Sequence, residues 1–222
     1  MTSALFALSA SVYTGLVAEN ALLGVTRDLP PAVLVVSKSF PILLLALQCA
    51  RARTVSIPAV AGLVFSAAGD AFLALPDSKT YFVYGLGSFL IAHILYIFHF
   101  GFTPLKAERL IIPAAFSAYF LSQWLIPSVK ETALHVPILA YVLAITVMGW
   151  RAFVYPSRPG VQGGFKGALG ALLFLASDAV LSVNKFIMPF KEGHLATMLL
   201  YYTGQLLIAK SAMSSGGKGK SE

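Results

Sequence analysis

The chain alternates apolar runs of about 20 residues with short polar breaks, and each run is long enough to cross roughly 30 Å of hydrocarbon as a helix. Eight such spans are predicted, at residues 4–23, 32–50, 57–75, 81–100, 109–126, 133–151, 165–184 and 194–213. The breaks fall where turn formers and charges coincide, as in Arg27-Asp28-Leu29-Pro30-Pro31, Pro76-Asp77-Ser78-Lys79 and Pro127-Ser128-Val129-Lys130-Glu131. The pattern predicts an all-α polytopic membrane protein with one transmembrane domain over residues 1–213. Residues 214–222 are Gly, Ser and Lys with an acidic end, a flexible tail.

Two positions break the apolar pattern from within. Phe65-Ser66-Ala67-Ala68-Gly69-Asp70-Ala71-Phe72-Leu73 puts a carboxylate inside the third span, and Phe174-Leu175-Ala176-Ser177-Asp178-Ala179-Val180-Leu181 repeats the device in the seventh. An aspartate in hydrocarbon loses hydration and is tolerated where it faces a polar cavity or a partner, which makes both functional candidates. Gly69 and Ser177 beside them are small enough to let helices approach closely.

Charge sets the orientation. Arg51, Arg53, Lys106, Arg109, Arg151, Arg158, Lys166, Lys210, Lys218 and Lys220 fall on the side of the two termini, against Arg27, Lys79, Lys130 and Lys191 opposite. The excess of Lys and Arg predicts cytoplasmic termini. At about 1.5 Å per residue, Asp70 and Asp178 then share one level about 20 Å from the cytoplasmic edge. Lys38, Tyr201 and Tyr202 lie near that level, Gln205 lies one turn deeper and His93 lies near mid-membrane. Asn184 and Lys185 follow Asp178, with Lys185 two turns outward on nearly the same face, suited to a lipid phosphate or to snorkelling at the interface.

With 58% hydrophobic and 11% charged residues in a chain of 222, against about 25% charged in soluble domains, no soluble domain fits between the spans. The net charge of +7 is scattered over loops, which points to a bilayer and not to nucleic acid. The single Cys49 excludes an internal disulfide and reads as core or lipid-facing. The first span reads as a retained signal anchor. Lys218 and Lys220 read equally as a dilysine retrieval signal for the endoplasmic reticulum or as a basic tail beside anionic lipid.

His99, His135 and His194 fall near span ends, where solvation suffices, and no zinc-binding histidine spacing occurs, so no metal or other cofactor is expected. Neither a Gly-x-Ser-x-Gly elbow nor a phosphate-binding glycine loop is present. Trp124, Trp150, Tyr81 and Tyr155 read as interfacial belt residues. On the residues alone, catalysis and proton-coupled transport are equally open. An intramembrane aspartyl protease ranks lower because Ala68-Gly69-Asp70 and Ala176-Ser177-Asp178 lack that class's Gly-x-Gly-Asp pattern. A purely structural role for the aspartates is the remaining alternative.

Over nearly its whole length the sequence resembles the lysoplasmalogenase (YhhN-like) family of eight-helix membrane proteins. The resemblance is carried by Lys38-Ser39-Phe40-Pro41, Phe65 to Leu73, Ala92-His93-Ile94-Leu95-Tyr96, Met148-Gly149-Trp150-Arg151-Ala152, Ser177-Asp178 with Asn184-Lys185-Phe186, and Tyr201-Tyr202 with Gln205. It implies that Asp70 and Asp178 are catalytic and that the substrate is a lysoplasmalogen, a single-chain ether lipid. Its vinyl-ether bond would be cleaved to a fatty aldehyde and glycerophosphocholine or glycerophosphoethanolamine. Lys38, His93, Tyr96, Asn184, Lys185, Tyr201, Tyr202 and Gln205 are the corresponding substrate-binding candidates, with Lys185 for the headgroup. Such chemistry calls for a carboxyl pair with one proton between them, in a pocket that opens towards Lys185 and continues as an apolar slot for the chain.

Overall fold

A computed structural model describes residues 2–23, 29–52, 55–76 and 78–214. The tail lysines Lys218 and Lys220, with Arg27, Arg53 and Asp77, lie outside the described residues. Within them the chain forms eight helical rods: α1 (Thr2–Leu23), α2 (Pro31–Ala50), α3 (Ile57–Ala74), α4 (Lys79–Phe100), α5 (Ala107–Ser128), α6 (Thr132–Ser157), α7 (Gly164–Ile187) and α8 (Gly193–Ser214). Among the described residues there is no strand. Six rods, α2 to α7, are long and apolar enough to cross a membrane, as a polytopic membrane protein requires. Rod α1 holds the shorter apolar stretch Ala4–Glu19. Rod α8 is long enough but the least apolar, because Tyr201, Tyr202, Gln205 and Lys210 interrupt it.

Helix starts follow local chemistry. Pro31 and Pro58 occupy first-turn positions of α2 and α3, where a missing N–H costs nothing. Ser78 caps α4 by accepting the Tyr81 N–H at 3.1 Å. Rods α5 and α7 each contain one wide π-turn, Leu121–Leu125 and Val183–Ile187, and these two turns touch.

The rods α2, α3, α4, α6, α7 and α8 pack in that order into a closed ring, α8 returning to α2. Outside it, α1 lies against α2 and α8, and α5 lies against α6. Small residues let the ring close. A Cβ on Gly170 of α7 would stand 2.8 Å from the Gly204 carbonyl oxygen of α8, and one on Gly204 would stand 2.9 Å from the Gly170 oxygen. One on Gly62 would meet the Tyr96 ring at 2.5 Å. Cys49 is buried in the ring, its Sγ 3.6 Å from the Ala209 carbonyl oxygen.

One cation counted as a loop charge is a core residue. Arg151 is 1% exposed, and its guanidinium donates to the carbonyls of Gly101 (2.6 Å), Pro104 (3.0 Å) and Leu105 (3.1 Å). Its planar fork thus holds the turn between α4 and α5 from α6, with the Trp150 ring 4.8 Å away. Two further end-of-span readings are corrected here. Tyr155 is buried at 3% exposure, and His99 is buried with Nδ1 2.8 Å from the Ser56 hydroxyl. An ammonium cannot serve three carbonyls fixed for a guanidinium, and each carbonyl left unpaired costs about 1–3 kcal/mol. Arg151→Lys is therefore expected to lower the thermal midpoint in detergent sharply. A midpoint equal to wild type would show that the clamp contributes nothing.

Candidate active site

The ring encloses a cavity of about 60 Å³ near the end where α3 and α7 finish and α4 and α8 begin. Asp70 of α3 and Asp178 of α7 both line it, with Lys38 of α2, Tyr141 of α6 and Tyr201 of α8. The remaining wall is mostly apolar, with Phe82, Phe89 and Leu125 among its residues. Gly69 has a packing role beside Asp70, since a Cβ there would lie 2.6 Å from the Phe89 ring. Ser177 has one beside Asp178, its hydroxyl donating to the Thr197 carbonyl of α8 at 3.1 Å.

Each carboxyl is held by one tyrosine from another helix. Tyr201 donates to Asp70 Oδ2 at 2.7 Å, and Tyr141 donates to Asp178 Oδ2 at 2.6 Å. The second side extends further. His93 Nε2 lies 3.0 Å from the Tyr141 hydroxyl and 3.8 Å from Asp178 Oδ2. With the tyrosyl proton committed to the carboxylate, His93 donates Nε2–H to the tyrosyl oxygen, leaving its buried Nδ1 without a partner among the described residues. The rings of Phe89, Phe174 and Tyr201 meet edge to face, and His93 abuts Phe174 the same way. This fixes the tyrosine and histidine rings against one another. Asp70 is 2% exposed and its Lys38 neighbour 4%, whereas the Asp178 side chain is 20% exposed.

Of the residues singled out in the sequence, Lys38, Asp70, Asp178 and Tyr201 reach the cavity wall. His93 stands behind Tyr141. Tyr202 donates to the Lys38 carbonyl at 2.8 Å and so positions the lysine's backbone. Tyr96 and Gln205 bond each other at 2.8 Å, with the Ser66 hydroxyl 3.4 Å from Tyr96, in a separate buried group. Asn184 accepts the Phe190 N–H at 2.8 Å and shapes the turn into α8. Tyr141 is the wall residue that sequence reasoning missed; the available signal was a tyrosine well inside a span instead of at its end.

Lys185 lies outside the cavity, its Nζ 4.9 Å from the Phe82 ring centre. It borders two vestibules. One, of about 420 Å³, also carries Lys79, Lys130 and Glu131, and the other, of about 210 Å³, reaches inward to Lys38. Lys79 and Glu131 form a half-exposed ion pair at 2.6 Å. Phe82 and Phe186, packed edge to face at 5.7 Å, line both the central cavity and the larger vestibule. Among the described residues no group of three metal-ligating side chains occurs.

The sequence pattern of the YhhN family matches residues 33–212, which include every cavity residue named above. The chain belongs to the YhhN family. Over 153 residues it is 40% identical to the Homo sapiens protein named lysoplasmalogenase TMEM86B, covering 69% of this chain and 62% of that one. To human lysoplasmalogenase TMEM86A it is 37% identical over 157 residues, with 69% and 64% covered. To lysoplasmalogenase TMEM86B of Rattus norvegicus it is 34% identical over 199 residues, with 88% and 80% covered. The chain thus spans a little under two thirds of the human relatives' length. No solved structure matches.

In this YhhN-family protein the two tyrosyl bonds are separable. Tyr141→Phe is expected to move the Asp178 carboxyl band in infrared difference spectra, assigned by its loss in Asp178→Asn, while leaving the Asp70 band in place. An Asp178 band that stays put would mean that the hydrogen bond does not exist in the membrane.

Proposed function

We propose that this protein is a lysoplasmalogenase that hydrolyses the vinyl-ether bond of a lysoplasmalogen to a fatty aldehyde and a glycerophosphodiester. The observation that carries this reading is the shared cavity. Two carboxyls from different helices line one small, mostly apolar chamber, each steadied by a tyrosine, in a chain whose relatives are named lysoplasmalogenases.

Vinyl ethers hydrolyse when a neutral acid protonates the double-bond carbon remote from oxygen. The π pair becomes the new C–H bond, and an oxocarbenium ion is left on the carbon bearing oxygen. A neighbouring carboxylate stabilises that cation and takes a proton from water as the water oxygen bonds to it, as paired carboxylates do for glycosidic oxocarbenium ions. The product is a hemiacetal, and the carboxyl that was ionised now carries the proton. That carboxyl then protonates the departing glycerol oxygen while its partner accepts the hemiacetal hydroxyl proton. The C–O bond breaks, the aldehyde forms and the pair is reset. Asp70 and Asp178 divide these roles, Lys38 supplies positive charge beside Asp70, and Lys185, with the vestibule lysines, receives the phosphate of the headgroup.

The same reading places all eight rods across the bilayer with both termini cytoplasmic, in the endoplasmic reticulum, and puts the aspartate cavity nearer the lumen. It rests on the excess of Lys and Arg at the opposite ends of the rods. A glycosylation sequon appended to the C-terminus should stay unmodified, and its modification would invert the topology.

Asp70→Asn and Asp178→Asn should each fold and lose at least about a hundredfold in aldehyde release from lysoplasmalogen, because an amide keeps the shape without transferring the proton. Wild-type activity should fall on both sides of a pH optimum, since only the singly protonated pair is competent. Mass spectrometry of lysoplasmalogen incubated with pure protein decides the matter. Intact lipid redistributed across the membrane would mark a carrier instead, and near wild-type turnover by either variant would make that aspartate structural.

A further inference from the structure

Asp178 borders two cavities. Besides the central chamber it lines a lateral cavity of about 80 Å³ between α5, α6 and α7. The two share Leu125, Tyr141, Val142, Asp178 and Ser182, so these side chains stand between them and Asp178 borders both. Away from Asp178 the lateral cavity is lined mostly by apolar side chains, Ile145, Leu175, Ala179 and Phe120 among them, and it reaches Phe116, which is 65% exposed on the outside of the bundle. Asp70 does not border it.

The outer wall of this cavity is the least embedded rod. Only 6% of the span of α5 is buried, against 33–39% for the other five. Its wall between Ser117 and Leu125 includes the π-turn, and the Ser117 hydroxyl lies 2.7 Å from that of Thr146 on α6, pinning α5 there. Past Phe82, which borders the reaction chamber and both vestibules, lie the vestibule lysines. The charged space therefore lies at the end of the bundle, and the apolar one opens sideways between α5, α6 and α7.

We propose that the lateral cavity between α5, α6 and α7 is the binding slot for the hydrocarbon chain of the substrate, taking the carbons next to the vinyl ether and passing the rest of the chain out beside Phe116. This rests on the lysoplasmalogenase reading, because a single-chain lipid with its vinyl ether at Asp178 has to send headgroup and chain in different directions. Among the described residues the vestibules offer a polar way out and the lateral cavity an apolar one. Ala179, one residue past Asp178 on the slot wall, determines how much chain the slot accepts, and Ser117 faces it from α5.

The slot is tested on lysoplasmalogens with chains short enough to stay monomeric in water. For wild type, kcat/KM should rise about fourfold for each methylene the slot takes from water, corresponding to about 0.8 kcal/mol, and then level off. Ala179→Phe and Ser117→Phe should level off at a shorter chain than wild type does. An unchanged chain-length profile in the folded variants overturns the slot. If wild type cleaves no lysoplasmalogen, the parent reading has failed instead. Photolabelling of the wild-type protein gives an answer independent of folding and of turnover. A non-hydrolysable alkyl-ether lysolipid carrying a diazirine early in its chain should label peptides of α5 and α7, and labelling confined to α3 or the vestibule overturns the proposal.

Discussion

A carboxyl inside an apolar bundle needs a hydrogen-bond donor, and that need orders much of the structure. Unpaired, it carries a desolvation cost of several kilocalories per mole. Here Tyr201 and Tyr141 meet it for Asp70 and Asp178 respectively. Each tyrosine has to arrive from a different helix at a fixed depth, and the rings of Phe89 and Phe174, which steady Tyr201, need room at Gly69 and between α4, α7 and α8. The same cost explains Arg151 at the other end, whose charge is accepted by three carbonyl dipoles.

The helices and the aspartates were legible in the sequence because hydrophobic run length and a charge within a run are strong, one-dimensional signals. Direction was not. Counting residues gave the depth of Gln205 but not the face it presents, and it bonds Tyr96, which in turn lies against Ser66, away from the cavity. Helical spacing placed Lys185 two turns outward of Asp178 on nearly the same face, but the chain widens into a π-turn at Val183–Ile187, which shifts the register that spacing assumes. Asn184 then closes a turn at the Phe190 N–H. Arg151 looked like a loop cation because a positive charge at a span end is ordinary, and only the folded turn between α4 and α5 reveals its three acceptors.

The family match and the geometry support one another at different levels. The match covers the ring helices, and the ring is what brings α3 and α7, far apart in sequence, to one chamber. The chamber's small volume, about 60 Å³, suits a site that admits a few atoms of a reacting group and little water. On the function proposed above, the remainder of the lipid lies in the adjoining spaces, which differ in polarity.

The sequence separation of the two tyrosyl bonds bears on how the protein is made. Asp178 accepts from a tyrosine 37 residues earlier, so its partner is already synthesised when α7 emerges from the ribosome. Asp70 accepts from one 131 residues later. Rod α3 thus has to be handed to the membrane with its carboxyl lacking that donor through the synthesis of the five rods α4 to α8. A truncated nascent chain ending before Tyr201 is therefore the form most exposed to quality control, because α8 is the rod that completes the site of α3.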